Sequence, residues 1–198
     1  MNETYKVQVQ DLVDDLKAVF THAGLGGEAG EYKLLTQSFL YKFLNDKFLY
    51  QAQVLDAGNT YENLLTMSEE DYDWLLEDIG TSTAWLKPDQ LIETLHRQQN
   101  ESTFYETFEN TLNQIAIDNN DIFSVHTDGD AAIRLFDERL ITDTISDSSK
   151  RNEVAKAIIN LLARVKFDET IFSQGFDFFS TLFEYMIKDY NKDGGGKY

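Results

Sequence analysis

The chain has 198 residues, a formal net charge of −18 and a hydrophobic content of 42%. This length and apolar content allow one domain with a sizeable core and exclude a mostly disordered chain. The absence of cysteine excludes disulfides, zinc–thiolate sites, iron–sulfur clusters and thiol nucleophiles. The single proline, Pro88, favours long uninterrupted helices and excludes any motif that needs two adjacent prolines within these residues.

Two features of the sequence bear on location. The N-terminus lacks the apolar run of a signal peptide, and no window of about 20 residues is free of charge, as a membrane span would require. We therefore expect a cytoplasmic protein with no membrane contact.

The acidic residues are spread along the chain. Between Lys47 and Lys87 there is no basic residue, against eight acidic ones. Such a surface repels the phosphate backbone, so we do not expect strong DNA binding by this chain alone. One basic stretch departs from this trend, although its bases scatter around a helix axis. Its members are candidates for contact with a DNA backbone or a partner: Lys150, Arg151, Lys156, Arg164 and Lys166.

Apolar residues recur at helical spacing nearly throughout, which predicts an all-α, irregular domain of about seven to nine helices with little or no β structure. The first helix ends near Gly24 and has an apolar face formed by Leu12, Val13, Leu16, Val19 and Phe20. A longer helix is expected after a glycine-rich break over residues 24–30. One side of it is apolar and consists of Tyr32, Leu35, Phe39, Leu40, Phe43 and Leu44. Residues 56–60 predict a turn.

Capping signals place the next elements. Ser68, with Asp71 three positions on, predicts the start of a helix that ends before Gly80 and buries Tyr72, Leu75, Leu76 and Ile79. Pro88 suits the first turn of a helix running towards Asn100. Ser102 is the predicted N-cap of another helix. Four apolar residues of this helix are expected to face the core: Tyr105, Phe108, Leu112 and Ile115.

The last part of the chain mixes weak and strong patterns. Residues 121–125 suggest a short extended piece, and residues 128–130 a turn. Two clear helices follow. The first carries Val154, Ile158, Leu161, Leu162 and Val165, and the second carries Phe176, Phe179, Leu182, Phe183, Met186, Ile187 and Tyr190.

The motifs that could carry chemistry are weak. Residues 24–29 fit a G-x-G-x-x-A fingerprint, but a helix precedes them where a nucleotide site needs a strand, so we expect an interhelical loop. Asp189, Asn191 and Asp193 match the first half of a calcium loop, but its closing acidic residue is missing. The three histidines lack zinc-ligand spacing. We therefore expect no catalytic, cofactor-binding or metal-binding residues in this chain.

The closing segment carries a resemblance to a known family. Residues 176–198 read FDFFSTLFEYMIKDYNKDGGGKY, and residues 35–44 read LTQSFLYKFL. Both resemble the N-terminal helical domain of the modification subunit of type I restriction–modification systems. In that family a helix of the form F-E-Y-L-I-K and a polar Gly-Gly turn lead into the methyltransferase domain. The resemblance implies a helical assembly domain over residues 1–190. It also implies a hinge over residues 191–198, containing Gly194, Gly195 and Gly196, and a catalytic domain absent from this chain.

The family resemblance also implies a function for the full protein. Its members transfer a methyl group from S-adenosylmethionine to adenine N6 in DNA through an Asn/Asp-Pro-Pro-Tyr/Phe motif. Because this chain has one proline, that motif cannot occur here, and we expect the chain to be inactive alone and to bind no cofactor. The implied partners are a specificity subunit, a second modification subunit, a restriction subunit and, in the full complex, DNA.

Two alternatives remain open from the residues alone. The even acidity is compatible with an acidic helical adaptor or a DNA mimic that blocks a basic groove. The Asp189, Asn191 and Asp193 pattern is compatible with a calcium-responsive helical protein.

Overall fold

A computed structural model describes residues 3–123 and 135–173, and within them it contains helices and no strand. Six helices have seven residues or more, so the expected all-α class is confirmed. The helices run in the order α1 (Glu3–His22), α2 (Ala29–Leu55), α3 (Tyr61–Thr66), α4 (Glu69–Ile79), α5 (Ile92–Gln98), α6 (Phe104–Asp118), α7 (Asn120–Phe123), α8 (Leu140–Thr144), α9 (Ser148–Arg164) and α10 (Glu169–Phe172). A 3₁₀ turn over Pro88–Gln90 precedes α5.

Helix α2 lies at the centre of the domain. It contacts α1, α4, α8 and α9, so neighbours cover it from several directions. The sequence predicted one apolar side for this helix, and that prediction was incomplete. Leu34, Tyr41 and Phe48 are fully buried although they lie outside the expected set. Polar residues on α2 are buried too, and among them Lys42 and Asp46 carry charge into the core.

Helix α9 closes the core from the other side by packing against α1, α5 and α6. Four residues of its predicted apolar face, Val154, Ile158, Leu161 and Leu162, are buried, whereas Val165 follows the helix and is half-buried. On the predicted face of α1, Leu12, Val13, Leu16 and Phe20 are buried and Val19 is half-buried.

Several predicted boundaries are confirmed by local geometry. Gly24 follows α1 with a φ of +88°, and Gly80 ends α4 with a φ of +60°, a region that favours glycine. The Ser68 side chain accepts a hydrogen bond from the backbone N–H of Asp71, as the capping pattern predicted. Residues 56–60 form a turn, and residues 24–28 link two helices rather than following a strand.

Three predictions are wrong in detail. The helix expected from Pro88 to Asn100 is interrupted at Leu91, whose φ and ψ of −72° and 143° are extended and whose side chain is fully buried. Tertiary contacts hold this break, because the Tyr41 hydroxyl donates to the Gln90 carbonyl at 2.6 Å. Ser102 does not cap α6; its carbonyl accepts from the Asn152 side chain at 2.6 Å. Residues 121–123, expected to be extended, lie in helix α7.

Some predictions lie outside the described residues. These are the turn at 128–130, the closing helix from Phe176 to Tyr190, the calcium-like pattern beginning at Asp189, and the hinge glycines Gly194, Gly195 and Gly196.

Candidate functional site

Arg151 belongs to the predicted basic contact set, but its guanidinium points into the protein. Its Nε donates to the Ile145 carbonyl at 2.9 Å, and its Nη2 donates to the Thr142 carbonyl at 3.4 Å. The guanidinium carbon also lies 5.8 Å from the centre of the Tyr105 ring. Arg151 therefore ties the end of α8 to the start of α9, and its hydrogen bonds serve the fold.

The other four basic candidates do not form one patch. Lys156 is half-buried and Arg164 is exposed on the side of α9 that faces away from the core, about 80° apart around the axis. Lys166 lies beyond the end of α9, beside the cavity described below. Lys150 lines a separate groove of about 510 Å³ between α1 and α9, whose other lining residues are Ala18, Val19, His22, Ala23, Glu153, Val154 and Ala157.

Helix α2 contains a buried ion pair that was not predicted from the sequence. Lys42 Nζ lies 2.9 Å from Asp46 Oδ2, and the two residues are 4% and 8% exposed. The same carboxylate oxygen accepts from the backbone N–H of Phe167 at 2.8 Å, and Oδ1 accepts from the Asn45 side chain at 2.8 Å. The only sequence signal was a Lys and an Asp four positions apart, a spacing that also occurs on exposed helix surfaces.

The surroundings of Lys42 and Asp46 show that this ion pair holds parts of the fold together. Burial lowers the pKa of Lys42, and the neighbouring Asp46 carboxylate only partly offsets that effect. Lys42 also lies 5.8 Å from the centre of the Phe167 ring. Both carboxylate oxygens of Asp46 already accept hydrogen bonds, which leaves the group committed to joining α2 to the segment after α9.

A cavity of about 780 Å³ adjoins this pair between α2, α5 and the segment from α9 to α10. Lys42 and Lys166 line it together with carboxylates of Glu93, Asp168 and Glu169. His96, on the same cavity, makes a 2.9 Å hydrogen bond between its Nε2 and Asn160 Oδ1. Positive and negative groups are interleaved around this wall, so no single ligand charge is favoured.

A second buried carboxylate, Glu109 of α6, also has a structural role. Its Oε2 accepts from the backbone N–H groups of Ile141 and Thr142 at 3.1 and 3.0 Å. Its Oε1 accepts from the Thr142 hydroxyl at 2.7 Å. The N-cap residue of α8, Arg139, makes no side-chain hydrogen bond to the first turn of the helix. Glu109 of α6 supplies the missing acceptors for the backbone N–H groups of that turn.

Two negative findings concern the part of the chain that the structure describes. Within residues 3–123 and 135–173 there is no group of three or more His, Asp or Glu side chains placed to hold a metal ion. Among the same residues no helix combines the length and apolarity that a bilayer crossing needs.

Helix α4 presents the most unusual exposed face. Its inner side buries Tyr72, Leu75 and Ile79, as predicted, whereas Leu76 from the same predicted set is half-buried. Its outer side carries Trp74, which is 61% exposed. An open surface depression of about 580 Å³ beside this indole is lined by Glu69, Glu70, Asp73, Trp74 and Glu77. Trp74 was not predicted as a contact residue, although the spacing of the inner residues already placed it on the opposite face.

Comparison of the chain with protein-family models, with curated proteins and with solved structures finds no match.

Proposed function

We propose that this chain is the N-terminal helical assembly domain of a type I restriction–modification DNA methyltransferase subunit. The observation that carries the proposal is the closing segment, residues 176–198, with its aromatic helix pattern followed by a Gly-Gly-Gly turn. The pattern over residues 35–44 supports the same family. In the full protein, S-adenosylmethionine would supply the methyl group for adenine-N6 methylation of DNA in the cytoplasm.

The described charged groups serve the fold, which is compatible with the proposed assembly role. Lys42 with Asp46, Glu109 and the half-buried Arg151 are each engaged in joining helices. The acidic exterior suits contacts with protein surfaces and disfavours extensive contact with phosphate. The proposed partners are the specificity subunit, a second modification subunit and the restriction subunit, with DNA held mainly by other parts of the complex.

The basic residues allow a limited DNA contact. Lys156 and Arg164 share the outward side of α9, whereas Arg151 is committed to backbone carbonyls. If phosphate contact occurs here, Lys156→Glu with Arg164→Glu weakens DNA binding by the reconstituted complex and reduces its salt dependence. An unchanged affinity and salt slope would remove DNA engagement from the proposed role.

The proposal is tested first by reading the codons that follow Tyr198. We expect an Asn/Asp-Pro-Pro-Tyr/Phe motif downstream of a glycine-rich cofactor loop. The encoded protein should then methylate adenine N6 in DNA, and deletion of residues 1–190 should abolish its assembly with the specificity subunit. A stop codon directly after Tyr198, or a downstream region without those motifs, would contradict the proposal.

An acidic adaptor or DNA mimic is the alternative, and the acidic stretch between Lys47 and Lys87 favours it. This function requires tight binding to a DNA-binding protein that DNA competes away. It requires no methyltransferase domain. A competition experiment with duplex DNA therefore separates the two functions.

A further inference from the structure

Trp74 is the starting point, because its large apolar side chain is left mostly in water. It is 61% exposed on the outer side of α4. The other tryptophan, Trp85, is half-buried and its indole N–H donates to the Gly80 carbonyl at 2.6 Å. Among the described residues the Trp74 indole N–H has no hydrogen-bond acceptor. Exposed tryptophan is enriched at sites of protein contact, because it offers large buried area together with a polar edge.

The surroundings of Trp74 are uniformly acidic. With about 100° per residue, Glu70 and Glu77 lie about 40° and 60° to one side of Trp74, and Asp78 lies about 40° to the other. Asp73 completes the wall of the adjoining depression. All four carboxylate residues are exposed, and within the described residues no Lys or Arg forms an ion pair with them. We call Trp74 together with Glu70, Asp73, Glu77 and Asp78 the α4 face.

We infer that the α4 face is a docking surface for a basic protein segment that carries arginine or lysine beside an apolar side chain. The indole supplies the apolar contact and a ring face for a guanidinium or ammonium group. The surrounding carboxylates pair with the neighbouring bases and raise the association rate. This inference rests on the proposed assembly function, and it adds the face used and the charge of the partner.

Other occupants fit the α4 face less well. A phosphate backbone or an anionic membrane is repelled by the carboxylates. A second copy of this chain brings the same net charge of −18. A metal ion needs converging ligands, and the described residues contain no such group of three or more.

The test measures binding of the whole chain to a defined probe. The probe is a short fluorescein-labelled peptide in which pairs of arginines alternate with leucine, and its counterpart carries glutamate in place of each arginine. Binding is followed by fluorescence anisotropy at low and physiological salt. In a Trp85→Phe background, the emission of Trp74 reports contact with the indole directly.

Two variants and a matched control separate the α4 face from general acidity. We expect Trp74→Ala to weaken binding of the arginine peptide about tenfold or more, as for an aromatic hot spot. Asp73→Lys with Glu77→Lys should have an effect of at least that size. The control, Asp11→Lys with Asp15→Lys on the exposed side of α1, makes the same charge change and should alter the affinity less than about twofold, since distant exposed charges are screened.

The outcomes decide between the inference and its rivals. Equal losses in the α4 and α1 variants, an unchanged affinity in Trp74→Ala, or equal binding of the glutamate peptide would overturn the docking surface. If the docking surface fails while the chain still assembles with a methyltransferase domain, only this inference is lost. If the peptide binds as expected but no methyltransferase motif lies downstream, the proposed function fails and the α4 face stands.

Discussion

Replacing Asp46 by alanine tests the buried ion pair on α2 most directly. The substitution removes the acceptor of three hydrogen bonds, which come from Lys42 Nζ, the Phe167 backbone N–H and the Asn45 side chain. It leaves an ammonium group that is 4% exposed without its counter-charge. We expect the free energy of unfolding to fall by about 3–5 kcal/mol, the usual cost of breaking a buried pair by removing one partner.

Two further substitutions separate the charge from the hydrogen bonds. Asp46→Asn keeps an oxygen that can accept from the Phe167 N–H, so it should cost less than Asp46→Ala. Adding Lys42→Met to Asp46→Asn removes the uncompensated charge and fills the same space with an apolar chain. This double variant should recover about 1 kcal/mol or more, because paired removal of buried charges is often neutral or stabilising.

Urea unfolding followed by circular dichroism measures these free energies, with the slope of the transition checked for constancy. Asp73→Ala, at an exposed position outside the core, is the control and should lie within about 0.5 kcal/mol of the unsubstituted chain. If Asp46→Ala and Asp73→Ala differ by less than about 1 kcal/mol, Asp46 does not join α2 to Phe167, and the reasoning is wrong.

Three other predictions concern single contacts. Glu109→Ala should lower stability by about 1–3 kcal/mol in a urea titration, because two backbone N–H groups of α8 lose their acceptor; a neutral result would show that Glu109 does not support α8. A Cβ on Gly30 would lie 2.6 Å from Thr144 Cγ2, so Gly30→Ala should cost about 1–3 kcal/mol. Adding Thr144→Ser, which removes that methyl group, should restore most of the loss, and a failure of this rescue would exclude the clash as the cause. Burial alone would raise the pKa of Asp118, but hydrogen bonds from Gln90 and Gln114 and the charge of Lys87 hold it below its ordinary value of 3.8. The stability that Asp118 contributes is therefore present above that value and lost as pH falls through the lowered pKa. Unfolding at a series of acidic pH values should show the advantage over Asp118→Asn shrinking, and a constant difference would contradict this assignment.

The sequence predicted the elements whose cause is local. The inner faces of α4 and α9 follow from apolar residues three and four positions apart, a spacing that any helix places on one side. The start of α4 at Ser68 and its end at Gly80 depend on residues within one turn. The outward position of Trp74 follows from the same spacing, so the α4 face could have been predicted from the sequence too.

Other features depend on partners far along the chain. Asp46 contacts a backbone N–H 121 positions away, and Glu109 supplies acceptors to a helix 32 positions away. Leu91 interrupts a helical pattern because Tyr41 holds the preceding carbonyl from another helix. Periodicity contains no information about such pairings.

The same distinction applies to charge. From composition alone, the acidity of this chain indicates a surface that disfavours phosphate. In the structure the Arg151 guanidinium points inward and the Arg164 side chain is exposed. The positions of these two residues in the sequence do not predict that difference. The inward position of Arg151 depends on the carbonyl groups of Thr142 and Ile145, which are available only after α8 packs against α9, because a partly buried charge needs hydrogen-bond acceptors.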